Sequence, residues 1–199
     1  MGTTGALFIL ALLAQVGPPV QAAGPIQCEF RAFDGADEVT RETRVRVYPS
    51  GLKEGGIATD PAGRVPLAPG LYDVQVLRER DGRVTAIRWI EHLLIMRYPD
   101  EAGQHLEVVN FKSQYGALEL KTSRQDSEAT AFAGGDRARP IATGKRGAGY
   151  VLLVAPAGRY DVRVKAATPN APDIWLTDVD IPADRTRLRT LDAGRQNQE

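Results

Sequence analysis

The sequence predicts an all-β fold made of two antiparallel β-sandwich domains in tandem, placed after a signal peptide. Three observations predict it: an internal repeat, apolar and polar residues that alternate with a period of two, and many turn-forming residues. The chain has 199 residues, of which 20 are Gly and 13 are Pro. Helical periodicity is weak beyond the first 23 residues, so strands are the expected elements.

The internal repeat is carried by short motifs that recur in the same order. Residues 57–59 (IAT) recur as 141–143, and residues 69–76 (PGLYDVQV) recur as 157–164 (AGRYDVRV). A tryptophan follows each long motif at a similar spacing, at Trp89 and Trp175. Units of about 80 residues are typical of small sandwich domains and are long for a solenoid repeat.

The strands of each unit are predicted from alternation along the motif. Tyr72, Val74 and Val76 share one face of a strand, while Asp73 and Gln75 share the other. Strands with one apolar and one polar face are typical of antiparallel sheets that cover a core on one side. The same rule, applied from Trp175 to Val179 and Ile181, places both tryptophans in the core.

The N-terminal segment predicts an exported protein. Residues 6–16 form an apolar run, and Ala22 and Ala23 provide small residues where a signal peptidase cuts. No Lys or Arg precedes the run, which leaves an uncleaved anchor or a misassigned start as alternatives. The predicted organisation is a signal peptide at 1–23, sandwich domains at 25–112 and 115–192, and a disordered tail at 193–199. The expected location is secreted or periplasmic.

The first unit resembles the transthyretin-like, or carboxypeptidase-regulatory-like, sandwich modules of exported proteins, and the PEGA-type modules of bacterial surfaces. The resemblance is carried by residues 45–48 (VRVY), 59–65 (TDPAGRV) and 67–74 (LAPGLYDV). The second unit keeps the Gly-x-Tyr element at 158–160 and departs in the turn at 143–147 (TGKRG). The resemblance implies immunoglobulin-like or prealbumin-like sandwiches that serve as accessory, binding or structural modules.

The motif residues predict their own local geometry. Asp60 can accept a backbone N–H two residues further on, and Gly63 can take a positive φ where the next strand begins. Tyr72 and Tyr160 can bury the ring while the hydroxyl reaches a nearby turn, as in the tyrosine corners of other sandwiches.

The charge balance argues against a nucleic-acid partner. Lys plus Arg equals 25 and Asp plus Glu equals 25, so the formal net charge is zero. Nucleic-acid binders usually carry a basic excess, because neutralising phosphates drives their affinity.

Residues that could perform chemistry are few and scattered, so we expect no catalytic, metal or cofactor site. His92 and His105 each have one neighbouring glutamate, which supplies too few metal ligands. A calcium site at Asp34, Asp37 and Glu38 is a weaker alternative to a plain acidic turn. The nucleophile candidates lie in no recognisable catalytic motif; they are Ser50, Ser113, Ser123, Ser127 and Cys28. Cys28 is expected to be a buried apolar residue, with an intermolecular disulfide as the alternative.

The function expected from these observations is that of a non-catalytic exported module that mediates protein–protein contacts. A carbohydrate-binding accessory module is the alternative, since Trp89 and Trp175 could stack on sugar rings if they were exposed. Other candidates for surface contacts are Tyr48, Tyr98, Tyr115 and Tyr150. The expected partner is a protein or else a glycan, with no nucleic acid, and with membrane contact only through an uncleaved signal. The oligomeric state is left open.

Overall fold

The fold was analysed in a computed structural model that describes residues 24–97, 104–122, 128–147, 149–165 and 172–191. The predicted signal peptide, the predicted tail, Tyr98, Ser123 and Ser127 lie outside these residues. Within the described ranges the regular structure is sixteen β-strands and one short 3₁₀ turn, which confirms the predicted all-β fold. None of the described residues forms a helix long and apolar enough to cross a membrane.

Eight strands and the 3₁₀ turn form the first sandwich. Their bounds are β1 (Ile26–Asp34), β2 (Asp37–Glu38), the turn (Thr40–Glu42), β3 (Thr43–Pro49), β4 (Ile57–Ala58), β5 (Arg64–Leu67), β6 (Gly70–Arg80), β7 (Arg83–Ile95) and β8 (Gln104–Asn110). One sheet has the order β4-β3-β6-β7, and the other joins β2, β1 and β5, with β8 also paired to β1.

The remaining eight strands form the second sandwich. Their bounds are β9 (Tyr115–Thr122), β10 (Glu128–Ala133), β11 (Pro140–Thr143), β12 (Lys145–Arg146), β13 (Tyr150–Pro156), β14 (Gly158–Lys165), β15 (Ile174–Ile181) and β16 (Thr186–Leu191). The sheets have the orders β11-β10-β14-β15 and β12-β13-β9-β16.

The two sandwiches share one strand plan. The sheet β4-β3-β6-β7 matches β11-β10-β14-β15 strand for strand, and β5-β1-β8 matches β13-β9-β16. Most pairs are antiparallel as predicted, but β1 pairs with β8 in parallel and β9 pairs with β16 in parallel. In each sandwich the first and last strands therefore run side by side in the same direction, a feature that alternation within single strands cannot reveal.

Each sandwich closes its own apolar core between its two sheets. The first core contains Phe30, Val47 and Val74, and the second contains Leu118, Leu153 and Val162. These residues come from opposed sheets and are almost completely buried. Burying such side chains is the main favourable contribution to folding, at roughly 1.5 to 3 kcal/mol each.

A third apolar cluster lies between the two sandwiches. Phe33 and Val108 from the first sandwich pack with Leu152 and Val154 from the second. Tyr150 belongs to the same cluster, and its hydroxyl donates a hydrogen bond to Glu29 at 3.3 Å. Burial raises the pKa of Tyr150 to about 12. The sheet of β1 and β8 thus rests on the sheet of β9 and β13, which leaves the other sheet of each sandwich on the outside.

The motif geometry predicted for the first sandwich is present. The Oδ1 atom of Asp60 accepts the backbone N–H groups of Ala62 at 2.9 Å and Arg64 at 2.7 Å. Gly63 has a φ of 80°, and a Cβ atom there would lie 2.1 Å from the carbonyl oxygen of Phe30. The turn therefore needs glycine for two reasons, the backbone conformation and the close approach of β1.

The two motif tyrosines make the same hydrogen bond in the two sandwiches. The hydroxyl of Tyr72 donates to the carbonyl oxygen of Ala68 at 2.9 Å, and that of Tyr160 donates to the carbonyl oxygen of Pro156 at 2.6 Å. Both acceptors lie four residues before the tyrosine and two residues before the long strand begins. The sequence repeat thus corresponds to the same tyrosine hydrogen bond in both sandwiches.

Cys28 lies fully buried in the first core, and burial raises the pKa of its thiol to about 12. In the unfolded chain the thiol ionises near pH 8.5, so its contribution to stability is complete below that pH and is lost as the pH rises towards 12. We expect the free energy of unfolding to fall between pH 8 and about 10.5 more steeply in the wild type than in Cys28→Ala. Urea unfolding at several pH values checks this. Parallel pH profiles for the two proteins would contradict it.

Candidate functional site

The aspartate of the first Tyr-Asp-Val motif holds a β-bulge in the outer sheet. The register between β6 and β7 shifts between Tyr72 and Val74, and His92 takes a φ of 57°. Asp73 is only 3% exposed and accepts backbone N–H groups from His92 at 2.9 Å and Gly51 at 3.0 Å. These hydrogen bonds, the one from His92 first, hold the pKa of Asp73 below its usual value.

The second sandwich repeats the bulge at the matching place. The register shifts between Tyr160 and Val162, and Asp178 takes a φ of 53°. Asp161 accepts the backbone N–H of Asp178 at 3.4 Å and the Nε–H of Arg137 at 3.2 Å. Each bulge adds one residue to the outer edge strand, so the residues before it point to the opposite face from that expected by simple alternation.

The bulges explain why the predicted core position of the tryptophans is wrong. In β15 the residues facing the core are Leu176, Val179 and Ile181. Trp175 therefore lies on the outer face of its sheet, where it is half-buried. Trp89 has the equivalent position before the bulge of β7 and is also half-buried.

Both tryptophans belong to a duplicated aromatic and cationic cluster. The Trp89 ring lies 5.7 Å from the Tyr48 ring, and the Lys53 ammonium lies 4.8 Å from the Trp89 centroid. The second cluster has the same construction, with centroid distances of 5.5 Å from Trp175 to Phe132 and 4.3 Å from Trp175 to the Arg137 guanidinium. A cation over the ring occupies the face that a sugar would use for stacking.

The tyrosines expected at the surface are buried or partly buried wherever the structure describes them. Tyr48 is buried beside its tryptophan, under the loop that contains Gly56. Tyr150 is buried in the cluster between the sandwiches, and the partly buried Tyr115 packs against that cluster. Their burial follows from tertiary packing that no local pattern in the sequence records.

Ser50, His92 and Asp73 come together in the first sandwich although the sequence gives no sign of it. The Ser50 Oγ lies 2.8 Å from His92 Nδ1 and 3.3 Å from Asp73 Oδ1. A catalytic relay needs the carboxylate on the other ring nitrogen and free N–H donors for an oxyanion. Here Asp73 instead binds the backbone of His92, and the neighbouring N–H of Gly51 is already donated to Asp73. These three side chains therefore stabilise the β-bulge and are not arranged as a nucleophile with its general base.

The acidic residues considered for calcium have other partners. Asp34 accepts a hydrogen bond from Arg78 at 2.5 Å, which is the main reason that its pKa is lowered, and it also pairs with Lys112 at 3.6 Å. Glu38 pairs with Lys145 at 3.6 Å across the two sandwiches. Within the described ranges no three His, Cys, Asp or Glu side chains are grouped closely enough to hold a metal ion.

The outer faces of the two sandwiches differ in chemistry at matching positions. In the first, Leu71 faces Leu94 across the strands β6 and β7, and Leu77 faces Ile87. In the second, Arg159 faces Asp180, and continuing the register of β14 and β15 places Lys165 opposite Asp173. Opposite charges across two strands suit a solvated face, whereas apolar pairs there do not.

Three of the four residues in these apolar pairs are exposed, and the fourth, Leu77, is half-buried. Leu71 is 52% exposed, Leu94 is 50% exposed and Ile87 is 57% exposed. They lie on either side of the half-buried Trp89 on the outer surface of the sheet. Between the two pairs, Ser50 and Gly51 bond to Asp73 and Lys53 lies over the Trp89 ring. We call this surface, formed by Leu71, Leu77, Ile87, Trp89 and Leu94, the docking face. The contrast could have been found in the sequence by aligning the two repeats on their shared tyrosines and tryptophans.

A groove of about 340 Å³ lies beside the contact between the two sandwiches. It is lined mainly by apolar side chains, among them Phe33, Tyr115, Ile141 and Leu152, with Lys145 at its wall. Three of these residues also belong to or pack against the cluster that joins the sandwiches, so the groove is the open margin of that contact.

Comparisons with known proteins give distant fold neighbours only. No protein-family model and no curated protein matches the chain. Solved structures with a related arrangement include a candidate adhesin from Bacteroides ovatus, at 11% identity and a TM-score of 0.32, over 95% of this chain and 96% of that one. The minor pilin GBS52 of Streptococcus agalactiae has 10% identity and a TM-score of 0.27, over 85% and 94%.

A third neighbour is much longer than this chain. The TIE protein of Bacillus anthracis has 16% identity and a TM-score of 0.28, over 82% of this chain and 34% of that one. This chain therefore spans about a third of the length of the TIE protein. Identities and TM-scores at this level carry no argument about the function.

Proposed function

We propose that the chain is a non-catalytic protein-binding module that acts outside the cytoplasm, and that it binds its partner through the docking face. One observation carries the proposal: the cross-strand pair of Leu71 and Leu94 is apolar, whereas the matching pair in the second sandwich, Arg159 and Asp180, is charged. The pair of Leu77 and Ile87 matches Lys165 and Asp173 when the register of β14 and β15 is continued. Because both sandwiches follow the same strand plan, the fold does not require apolar side chains at these positions. Exposed apolar groups clustered on one surface favour contact with another protein.

Other features agree with an exported accessory module. The apolar segment 6–16, followed by small residues, is typical of a secretory signal. The motifs shared with transthyretin-like modules support membership of that group of sandwiches, as part of this proposal. The geometry of Ser50, His92 and Asp73 gives no support to hydrolysis.

A protein partner is favoured over a glycan. Sugar-binding modules usually present a free aromatic face, on which a ring can stack. Trp89 and Trp175 each have an aromatic neighbour and a cation within about 6 Å of the ring centroid. A sugar could stack there only after the cation had moved.

The proposal is tested by exchanging the two faces at matched positions. The face-swap variant combines Leu71→Arg, Leu77→Lys, Ile87→Asp and Leu94→Asp, which brings in the residues of the second sandwich and leaves the net charge unchanged. A control variant, Ile141→Arg with Leu188→Asp, alters two other exposed apolar residues. The tagged proteins are produced in the native host alongside an untagged copy of the chain, and bound proteins are identified by mass spectrometry.

We expect the wild type and the control variant to retain the same bound protein, and the face-swap variant to lose it by at least about 10-fold. Each removed apolar contact weakens binding, and the introduced charges would have to be buried against the partner. Equal recovery by all three proteins, or recovery of no protein by any of them, would overturn the proposal.

A further inference from the structure

We infer that the loop between β3 and β4, residues 50–56, covers Trp89 in the free protein and moves away when a partner binds at the docking face. The inference rests on the proposed function and adds a conformational step to it. Lys53 is the residue of this loop that lies over the indole, with its ammonium 4.8 Å from the ring centroid. The loop thus regulates access to the tryptophan between the two apolar pairs.

The loop is fixed at its two ends and exposed between them. At one end the backbone N–H of Gly51 donates to the buried carboxylate of Asp73 at 3.0 Å. At the other end a Cβ atom on Gly56 would lie 2.5 Å from the Tyr48 ring, so the backbone there rests directly on that ring. Residues 51–55 are exposed. A movement that uncovers Trp89 therefore involves the middle of the loop.

Two glycines with positive φ bound this middle segment. Gly51 has a φ of 81° and Gly55 has a φ of 70°, and a Cβ atom at either position would meet nothing within 4 Å. Glycine reaches other backbone conformations at little steric cost. Leu52, which lies between them, is 58% exposed. The two glycines can therefore act as hinges for the segment that carries Lys53.

The contacts that hold this segment on the sheet are weak. Lys53 pairs with Glu91 at 3.7 Å, and the two side chains are 61% and 60% exposed. Exposed ion pairs and exposed cation–π contacts each contribute little to stability. The carboxylate of Asp73 already accepts the backbone N–H groups of Gly51 and His92. The cation of the loop is thus held by exposed groups.

The matching loop of the second sandwich, residues 134–139, is held more firmly. The Arg137 guanidinium lies 4.3 Å from the Trp175 ring centroid, and its Nε–H donates to the buried carboxylate of Asp161 at 3.2 Å. Moving Arg137 away would remove the cation that pairs with a buried charge, which is costly. The two loops cover matching tryptophans, but the cation of the second is fastened to a buried group.

Binding at the docking face favours movement of the first loop. A partner that covered the closed loop would have to bury the charged pair of Lys53 and Glu91, which costs free energy. A partner that displaces the loop instead contacts Trp89, a residue type enriched where binding energy is concentrated. The apolar pairs on either side of the ring then extend the contact to an apolar protein surface, which a sugar would not match.

Quenching of tryptophan fluorescence by acrylamide tests the movement in the purified chain. Trp175→Phe leaves Trp89 as the single tryptophan, and Trp89→Phe leaves Trp175. Raising NaCl from about 0.05 to about 1 M screens the exposed ion pair of the first loop and screens the partly buried pair of the second much less. We expect the quenching constant of Trp89 to rise at least about 2-fold and that of Trp175 to stay within about 1.2-fold. An unchanged constant for Trp89, or an equal rise for both, would overturn the inference.

Lys53→Ala tests whether the loop limits binding. Produced in the native host in the same way as the face-swap variant, it is expected to retain about 3 to 10 times more of the bound protein than the wild type, because the ring is uncovered before the partner arrives. Arg137→Ala changes the matching position of the second sandwich and is expected to leave retention unchanged. Equal or lower retention by Lys53→Ala would contradict the inference.

The two proposals can fail separately. If the face swap loses the bound protein while Lys53→Ala retains as much as the wild type, the proposed function stands and the loop is a fixed part of the docking face. If none of the variants retains a protein, the proposed function fails and the inference fails with it.

Discussion

Replacing Gly116 with alanine is expected to destabilise the chain by about 3 kcal/mol or more, at the upper end for overpacking. A Cβ atom at this buried position in β9 would lie 1.9 Å from the carbonyl oxygen of Pro182. The obstructing atom belongs to the backbone, and two hydrogen bonds hold that segment in place, from Asp184 to Tyr115 at 2.8 Å and from Ala117 to Arg185 at 3.0 Å. Neither side can move without breaking them.

Urea unfolding followed by circular dichroism measures this effect, with Gly134→Ala as the matched control. Gly134 lies in the turn after β10, and a Cβ atom there would meet nothing within 4 Å. We expect the control to stay within about 0.5 kcal/mol of the wild type, as for other surface substitutions. Equal stability of the two alanine variants would show that β9 does not pass Pro182 as closely as described.

Replacing Tyr160 with alanine is expected to cost about 3 to 5 kcal/mol, the usual range for a large core aromatic. Its ring is buried in the second core, and its hydroxyl donates to the carbonyl oxygen of Pro156 at 2.6 Å. Tyr160→Phe keeps the ring and removes only that hydrogen bond, so a loss of about 1 kcal/mol is expected.

Tyr72 provides an internal comparison, because it makes the same hydrogen bond from a ring that is only half-buried. Tyr72→Ala is therefore expected to be less destabilising than Tyr160→Ala when both are measured by urea unfolding. The reverse order, or an alanine variant of Tyr160 as stable as its phenylalanine variant, would contradict the burial described for the second core.

Much of the fold could be predicted because local chemistry is repeated in the sequence. The two Tyr-Asp-Val motifs predict matching strands, and Asp60 with Gly63 predicts its turn from side-chain chemistry alone. The parallel pairing of β1 with β8 could not be predicted, since it joins segments far apart in the chain and leaves no mark on either strand.

The candidate site was harder to predict because one inserted residue changes which face a side chain occupies. Alternation counted back from Ile181 placed Trp175 in the core, but the bulge at Asp178 moves it to the outer face. Leu94 and Asp180 lie 86 residues apart, as Trp89 and Trp175 do, so the sequence pairs them, but the bulge decides which face they occupy. A positive φ at a non-glycine residue has no reliable signature in a single sequence.

The most direct test of the central claim is the free energy of unfolding of the face-swap variant, measured at a concentration where both proteins are monomeric. If the apolar pairs of the docking face serve binding and not folding, the four substitutions together should change the free energy of unfolding by less than about 2 kcal/mol, since each of these positions holds a charged residue in the second sandwich. A loss of more than about 4 kcal/mol would mean that Leu71, Leu77, Ile87 and Leu94 support the first sandwich itself, and the docking face would then have no separate role.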